Sequence, residues 1–351
     1  MSRNFKPLRI SLCACALCLG VTGTAQADSL NIVTFGGAFE AAVKQAHFDP
    51  YSKENGTTIK LETYDGGLAK LAGMVQAGNP TWDLVDLESN DAVAACDEGL
   101  LQKIDPKALG DTSDFLPGTL TPCGVASMVW STIFAYDQSK LPVGPQTLAD
   151  FFDTRKFPGK RGLRKNPKVV MEWALIADGV ALKDVHKLLA TEAGLTRAFA
   201  KLDTIKGDIV WWEAGAQPPQ LLADGAVVMT QAYNGRIHDA VKKEGKPFKI
   251  VWDGQIYDFE SWGIPVGAKN AKAAEKFALY VSRPEIMARM SRYIPYAPPR
   301  QKAMAHVAPE VLNDLPTAPA NFATASRLDN TFWNDHFDTI NTRFQVWLAR
   351  R

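Results

Sequence analysis

"YDFESWGIPVG", residues 257–267, alternates aromatic and acidic side chains over its first half. A period of two marks a strand, on which successive side chains point to opposite faces. Asp258, Glu260 and Trp262 then share one face, and Tyr257, Phe259 and Ser261 the other. Carboxylates beside indole and phenyl rings have two readings: an ordinary solvated face, or one wall of a pocket that holds an ammonium group. The choice depends on where this strand runs in the fold.

Upstream, strands and helices alternate. "LNIVTFGG" is an apolar strand ending in paired glycines, followed by a helical stretch through "AFEAAVKQAHFDPYSKENG". The strand "TIKLETYDGG", the helical "LAKLAGMVQAGNP", the strand "WDLVDLE" and then "DAVAACDEG" repeat the order. Strand–helix–strand at this pitch predicts a parallel sheet with helices on its faces. Right-handed crossovers place the loops "FGGAF" and "LESND" along one edge, where open α/β sheets hold ligands. Further on, "ASMVWSTIFAYD" is a long strand, while "FKIVWD" and "YDFESWGIPV" read as two more. "NAKAAEKFALYVSRPEIMARMSRY" reads as one long helix, and "TFWNDHFDTINTRFQVWLARR" as a packed terminal one.

The first 27 residues stand apart. Arg3, Lys6 and Arg9 precede the apolar run "ISLCACALCLGVTG" and the small-residue site "AQA" ending at Ala27. That order is a secretory signal peptide, with Cys15 and Cys18 poorly placed for a lipid-bearing site. The mature chain is expected to start near Asp28. Taking those three cations from 39 leaves 36 Lys and Arg against 38 Asp and Glu, a net charge of −2. This balance offers nothing to nucleic acid or an anionic membrane. No later run nears the roughly 18 apolar residues of a membrane span. Of five cysteines only Cys96 and Cys123 stay with the mature chain. An even pair in an oxidising compartment predicts one disulfide, two buried free thiols being the alternative. His47, His186, His238, His306 and His336 are scattered with no metal-ligand spacing, so no metal is expected.

About 324 mature residues exceed what one core serves, so two lobes are expected. With no Pro/Ser-rich linker between halves, the chain is expected to cross between lobes more than once. Enzyme constellations are missing: there is no GxSxG elbow, no GxxxxGK[ST] loop, and "FGGAF" lacks the dinucleotide spacing. The reading is a non-enzyme without cofactor, a clamshell that closes on a small molecule.

"LNIVTFGGAFE", "WDLVDLESND", "GLLQKID", "LADGAVVMTQAYNGR", "WGIPVGAKNAKAAEKFALYVSRPE" and "PYAPPR" follow one another in that order. In this register the chain resembles the periplasmic solute-binding proteins of ABC importers, specifically the spermidine/putrescine-type branch, over essentially its whole mature length. The resemblance implies an α/β, two-lobed periplasmic-binding-protein clamshell, each lobe a mixed sheet flanked by helices. Lobe 1 would take roughly 28–134 and 262–306, and lobe 2 roughly 135–261 and 307–351. "VWSTIFAYD" and "FESWGIPV" would be the crossing strands, which puts the opening stretch at a hinge facing the cleft. A periplasmic monomer that hands its ligand to an inner-membrane ABC permease follows from the same likeness.

In the polyamine binders of this family, aromatic rings stack on the methylene chain and carboxylates hold the ammonium ends. Carried over by position, Phe35 stands at the first aromatic clamp, Ser89 and Asn90 at the polar pair after the third strand, and Tyr233 at a second aromatic. Glu260 matches the carboxylate that closes on an amine, and Tyr296 an aromatic from the returning lobe. Glu213 and Asp258 are further candidates, Asp258 either meeting the amine or only stabilising the hinge. Trp130 and Trp262 read as packing, while Trp211 and Trp212 point to opposite faces.

Two departures from the polyamine pattern stand out. Asn166 and Val169 stand where acidic residues would meet the distal ammonium, with Lys165 and Lys168 nearby. Arg236 stands where a small residue is expected, and it either pairs with Asp239 on the surface or offers a fork to a carboxylate. Arg236 opposite Glu260 or Asp258 suggests a ligand with one anionic and one cationic end, a linear ω-amino acid such as γ-aminobutyrate. A polyamine remains the alternative, and an exported hydrolase or a ligand-sensing receptor are the rivals of another class.

Overall fold

The computed structural model describes residues 1–2 and 29–350. The signal-peptide reading and the expected start at Asp28 therefore lie outside the described residues, apart from the first two.

Among the described residues, ten strands form one mixed sheet. They are β1 (Ser29–Phe35), β2 (Thr58–Tyr64), β3 (Leu84–Glu88), β4 (Leu120–Thr121), β5 (Gly124–Asp137), β6 (Arg161–Arg164), β7 (Ile209–Trp212), β8 (Met229–Tyr233), β9 (Phe248–Gly263) and β10 (Ser326–Arg327). The main order is β2-β1-β3-β9-β5-β8-β6-β7. On one wing β1 runs parallel to β2 and β3; on the other β6 runs parallel to β7 and β8. The first wing is the strand–helix–strand unit that the sequence predicts.

β5 and β9 join the wings as an antiparallel pair. The end of β9 lies beside β3, with Glu88 opposite Glu260 and Val85 opposite Gly263. The end of β5 lies beside β8, with Thr132 opposite Tyr233 and Tyr136 opposite Met229. All 14 positions of β5 are buried, as expected of a strand covered on both faces. The β5–β9 register shifts between Ala126 and Met128 and again between Thr132 and Phe134. Such irregularities bend a strand locally, here at the passage from one lobe to the other.

Two sequence readings are corrected. "FKIVWD" and "YDFESWGIPV" are one 16-residue strand. Gly254, at φ +70°, accommodates the second irregularity without ending the strand. The long helix read over 270–293 is also broken. Its first part, Ala271–Val281, buries Ala273, Ala274, Phe277, Ala278 and Val281 at helical spacing, but Arg283 is extended (φ −69°, ψ 136°). Pro284 imposes that extension on its predecessor and opens a separate short helix, Pro284–Met287.

Each wing has its own core. Phe48, Trp262 and Phe277 cluster in the first; Phe134, Phe151 and Trp173 in the second. The terminal helix Asn330–Ala349 adds Trp333, Ile340, Phe344 and Trp347 to the second core. It also reaches the first wing, where Asn330 Nδ2 donates to Ser89 Oγ at 2.6 Å. Cys96 and Cys123 form the expected disulfide, their Cα atoms 5.6 Å apart, tying the helix Ser89–Asp97 to the start of β5. Among the described residues no helix is long and apolar enough to cross a membrane, and no cluster has the make-up of a metal site.

Candidate ligand-binding site

A cavity of about 150 Å³ lies between the wings, at the carboxyl ends of strands from both. Phe35 and the glycines after β1, Glu88 at the end of β3, and Glu260 on β9 come from one side. Arg164 at the end of β6, Tyr233 at the end of β8, Arg236 and residues 213–216 come from the other. Met128, Trp130 and Tyr296 also line it, with Phe39, Thr63 and Asp65. Strand ends and the loops beyond them are where an open α/β sheet leaves a crevice.

Phe35, Glu213, Tyr233, Arg236, Glu260 and Tyr296 are thus brought together, while Ser89, Asn90 and Asp258 are not among the lining residues. Ser89 Oγ donates to the Asp258 carboxylate, and Asn90 Nδ2 donates to Asp91 Oδ1 at 2.6 Å. Glu213 is exposed and pairs with Lys165 at 3.2 Å. Trp262 is core, but Trp130 lines the cavity with its ring edge-on to Tyr233, centroids 5.0 Å apart. Trp211 packs on Phe344 and Trp347 of the terminal helix, and Trp212 meets Tyr233 edge-on.

Arg236 sits in the first turn of the helix Asn234–Glu244 and is only 7 % exposed. Its Nη1 donates to the Gly36 carbonyl at 2.6 Å, and its Nε finds no partner among the described residues. Asp239 pairs instead with Lys243 one turn on. The approach to Gly36 needs a bare backbone next door. A Cβ on Gly37 would come within 2.6 Å of Arg236 Nη1, and φ there is +72°.

Glu260 is 6 % exposed, and its Oε2 has no hydrogen-bond partner among the described residues. Burial, reinforced by the charges of Asp86 and Glu88, holds its carboxyl well above the usual carboxylate range. Burial also pushes Asp86 up to about 8 and Asp258 up to about 7. Glu88 behaves oppositely. Burial pushes it up, but the nearby charges of Arg164 and Lys168 outweigh that and leave it below the ordinary range. Arg164 Nη1 stands 3.2 Å from Glu88 Oε1, an ion pair that bridges the wings. Burial pushes the Tyr296 hydroxyl up to about 12, opposed by the neighbouring Arg236.

Sequence reasoning passed over Arg164 and Glu88. For Glu88 the signal was present, since it ends the strand "WDLVDLE" and lies within the loop "LESND" already placed on that edge, whereas the short strand that Arg164 ends has no such mark.

The sequence pattern described as bacterial extracellular solute-binding protein matches residues 46–320. The chain belongs to this family. The solute-binding protein is 47 % identical to the gamma-aminobutyric acid-binding protein of Pseudomonas aeruginosa, over 95 % of both chains. It is 24 % identical to the spermidine/putrescine-binding periplasmic protein of Escherichia coli, over 97 % of this chain and 96 % of that one. Among solved structures it resembles one described as Atu4243-GABA receptor, with a TM-score of 0.81 and 33 % identity over 92 % of this chain and 98 % of that one. Of the two curated relatives, the one named for γ-aminobutyrate is the more similar.

Proposed function

We propose that this protein captures a linear ω-amino acid, γ-aminobutyrate, in the periplasm and hands it as a monomer to an inner-membrane ABC permease. The observation that carries the reading is that Arg236 and Glu260 line one small cavity from opposite wings. Arg236 has an unused N–H for a carboxylate, and Glu260 an unused oxygen for an ammonium. Phe35, Tyr233 and Tyr296 supply apolar walls between them, suited to a short methylene chain. The names of relatives at 47 % and 33 % identity point the same way.

Of the two carboxylates left open by the sequence, we assign the ammonium to Glu260. Asp258 is engaged by Ser89, and we assign Ser89, Asn90 and Asp258 to the hinge behind the cavity rather than to the ligand. The lobes then divide as 28–134 with 262–306 and 135–261 with 307–351, and closure of one on the other removes the ligand from water. No cofactor enters this scheme, and the protein acts by binding rather than catalysis.

Calorimetry of ligand-free protein with γ-aminobutyrate and with putrescine tests the reading. The expected result is saturable heat with the amino acid and none with the diamine, because a guanidinium in the cavity repels a second ammonium. Tight putrescine binding without γ-aminobutyrate heat would overturn it.

A further inference from the structure

Glu88 and Glu260 are Cα partners on the antiparallel strands β3 and β9, and both line the cavity. Directly opposed side chains of such strands stand side by side, so two charged carboxylates here would repel one another. A doubly cationic ligand would relieve that repulsion. In this chain an arginine does so instead. Arg164 reaches from the other wing to within 3.2 Å of Glu88, with side-chain exposures of 21 % and 12 % for the pair. The same guanidinium lies over the Tyr233 ring, 5.9 Å from its centroid, and so occupies the end of the cavity that Glu88 faces. Of the other acidic lining residues, Asp65 is exposed at the rim and Glu213 is paired with Lys165.

We propose that Arg164 sets the charge class of the ligand: by occupying Glu88 it leaves Glu260 as the one buried carboxylate of the cavity lining open to an ammonium, so a mono-amine is held and a diamine is refused. The proposal rests on the reading that the ligand amine meets Glu260, and it adds a residue that acts through Glu88 rather than by touching the amine. Removing the guanidinium frees Glu88 and vacates the space beside it. Glu88 and Glu260 then form a cross-strand acidic pair able to take two ammonium groups.

The test compares wild type, Arg164→Ala, Arg164→Lys and the double variant Arg164→Ala with Glu88→Gln, each titrated calorimetrically with γ-aminobutyrate and with putrescine. Arg164→Ala is expected to gain putrescine affinity by about tenfold or more, the scale of one charge-assisted contact. The gain should vanish in the double variant and be absent in Arg164→Lys, which keeps the cation. A purely structural role would weaken both ligands alike and raise neither. A folded Arg164→Ala protein with no gain in putrescine affinity overturns the proposal, as does a gain that survives loss of Glu88. Should Arg164→Ala lose its cooperative melt, Arg164→Gln carries the same comparison. The wild-type arm separates the two readings: absence of γ-aminobutyrate binding there sinks the proposed function, whereas the variant arms decide the role of Arg164 alone.

Discussion

Burial penalises the charged form of Glu260, whose Oε2 has no hydrogen-bond partner among the described residues, and so favours its protonated form until a cation arrives. Binding an ammonium there should therefore release up to about one proton at neutral pH. Titrations of γ-aminobutyrate in phosphate and in Tris at pH 7 should give different apparent enthalpies, and affinity should rise with pH until the free protein ionises. Identical enthalpies in the two buffers would mean that no proton leaves. Glu260→Gln removes the charge that the ammonium needs, and Arg236→Met removes the fork for the carboxylate. Each should cost roughly 10- to 100-fold in affinity, read from the same titrations, with the melting temperature little changed. At this scale the sequence located residues without ranking them. Alternation puts Asp258 and Glu260 on one face of a strand, and only the fold separates them, with Glu260 lining the cavity and Asp258 held by Ser89. The Arg164–Glu88 pair left no periodic trace at all, since its partners are 76 positions apart and meet only when the wings do.

At the level of elements, the period-two runs and paired glycines located the strands of the first wing because their apolar residues have one place to go. Breaks were harder to see. The sequence reads as two strands on either side of Gly254, yet its left-handed backbone lets one strand continue through an irregularity. Gly254→Ala should destabilise the fold by about 1–3 kcal/mol in urea melts, from strain at φ +70° and from a Cβ 2.7 Å from Leu148 Cδ2. A neutral result would mean the backbone there relaxes without cost. Helical spacing from Ala271 onward carried through Pro284 in the sequence, but the restriction on Arg283 ends the first segment. The disulfide was inferred from an even count, and only the fold shows that it ties the helix after β3 to the start of β5. Replacing Cys96 and Cys123 by serine should lower stability by roughly 2–4 kcal/mol through a freer unfolded chain. Equal melts for oxidised wild type and this variant would count against that.

For the whole molecule, Asp86 and Asp258 titrate near 8 and 7 when folded, both raised by burial, against about 4 in an unfolded chain. The native state then holds more protons than the unfolded one between those limits, so stability contributed by these groups is present below about pH 4 and is lost as pH rises through 7 to 8. Ligand-free protein should melt a few degrees lower at pH 8.5 than at pH 5.5, and a flat profile would show that these carboxyls are not held protonated. The two-lobed architecture was legible from length, linker absence and the strand–helix rhythm, whereas the cavity exists only where both wings meet. The account stands most directly on a crystal structure of the γ-aminobutyrate complex. It predicts the ligand carboxylate on the Arg236 guanidinium and the ammonium on Glu260, with Phe35, Tyr233 and Tyr296 around the chain between them. A ligand seated with its ammonium away from Glu260, or outside this cavity, would contradict it.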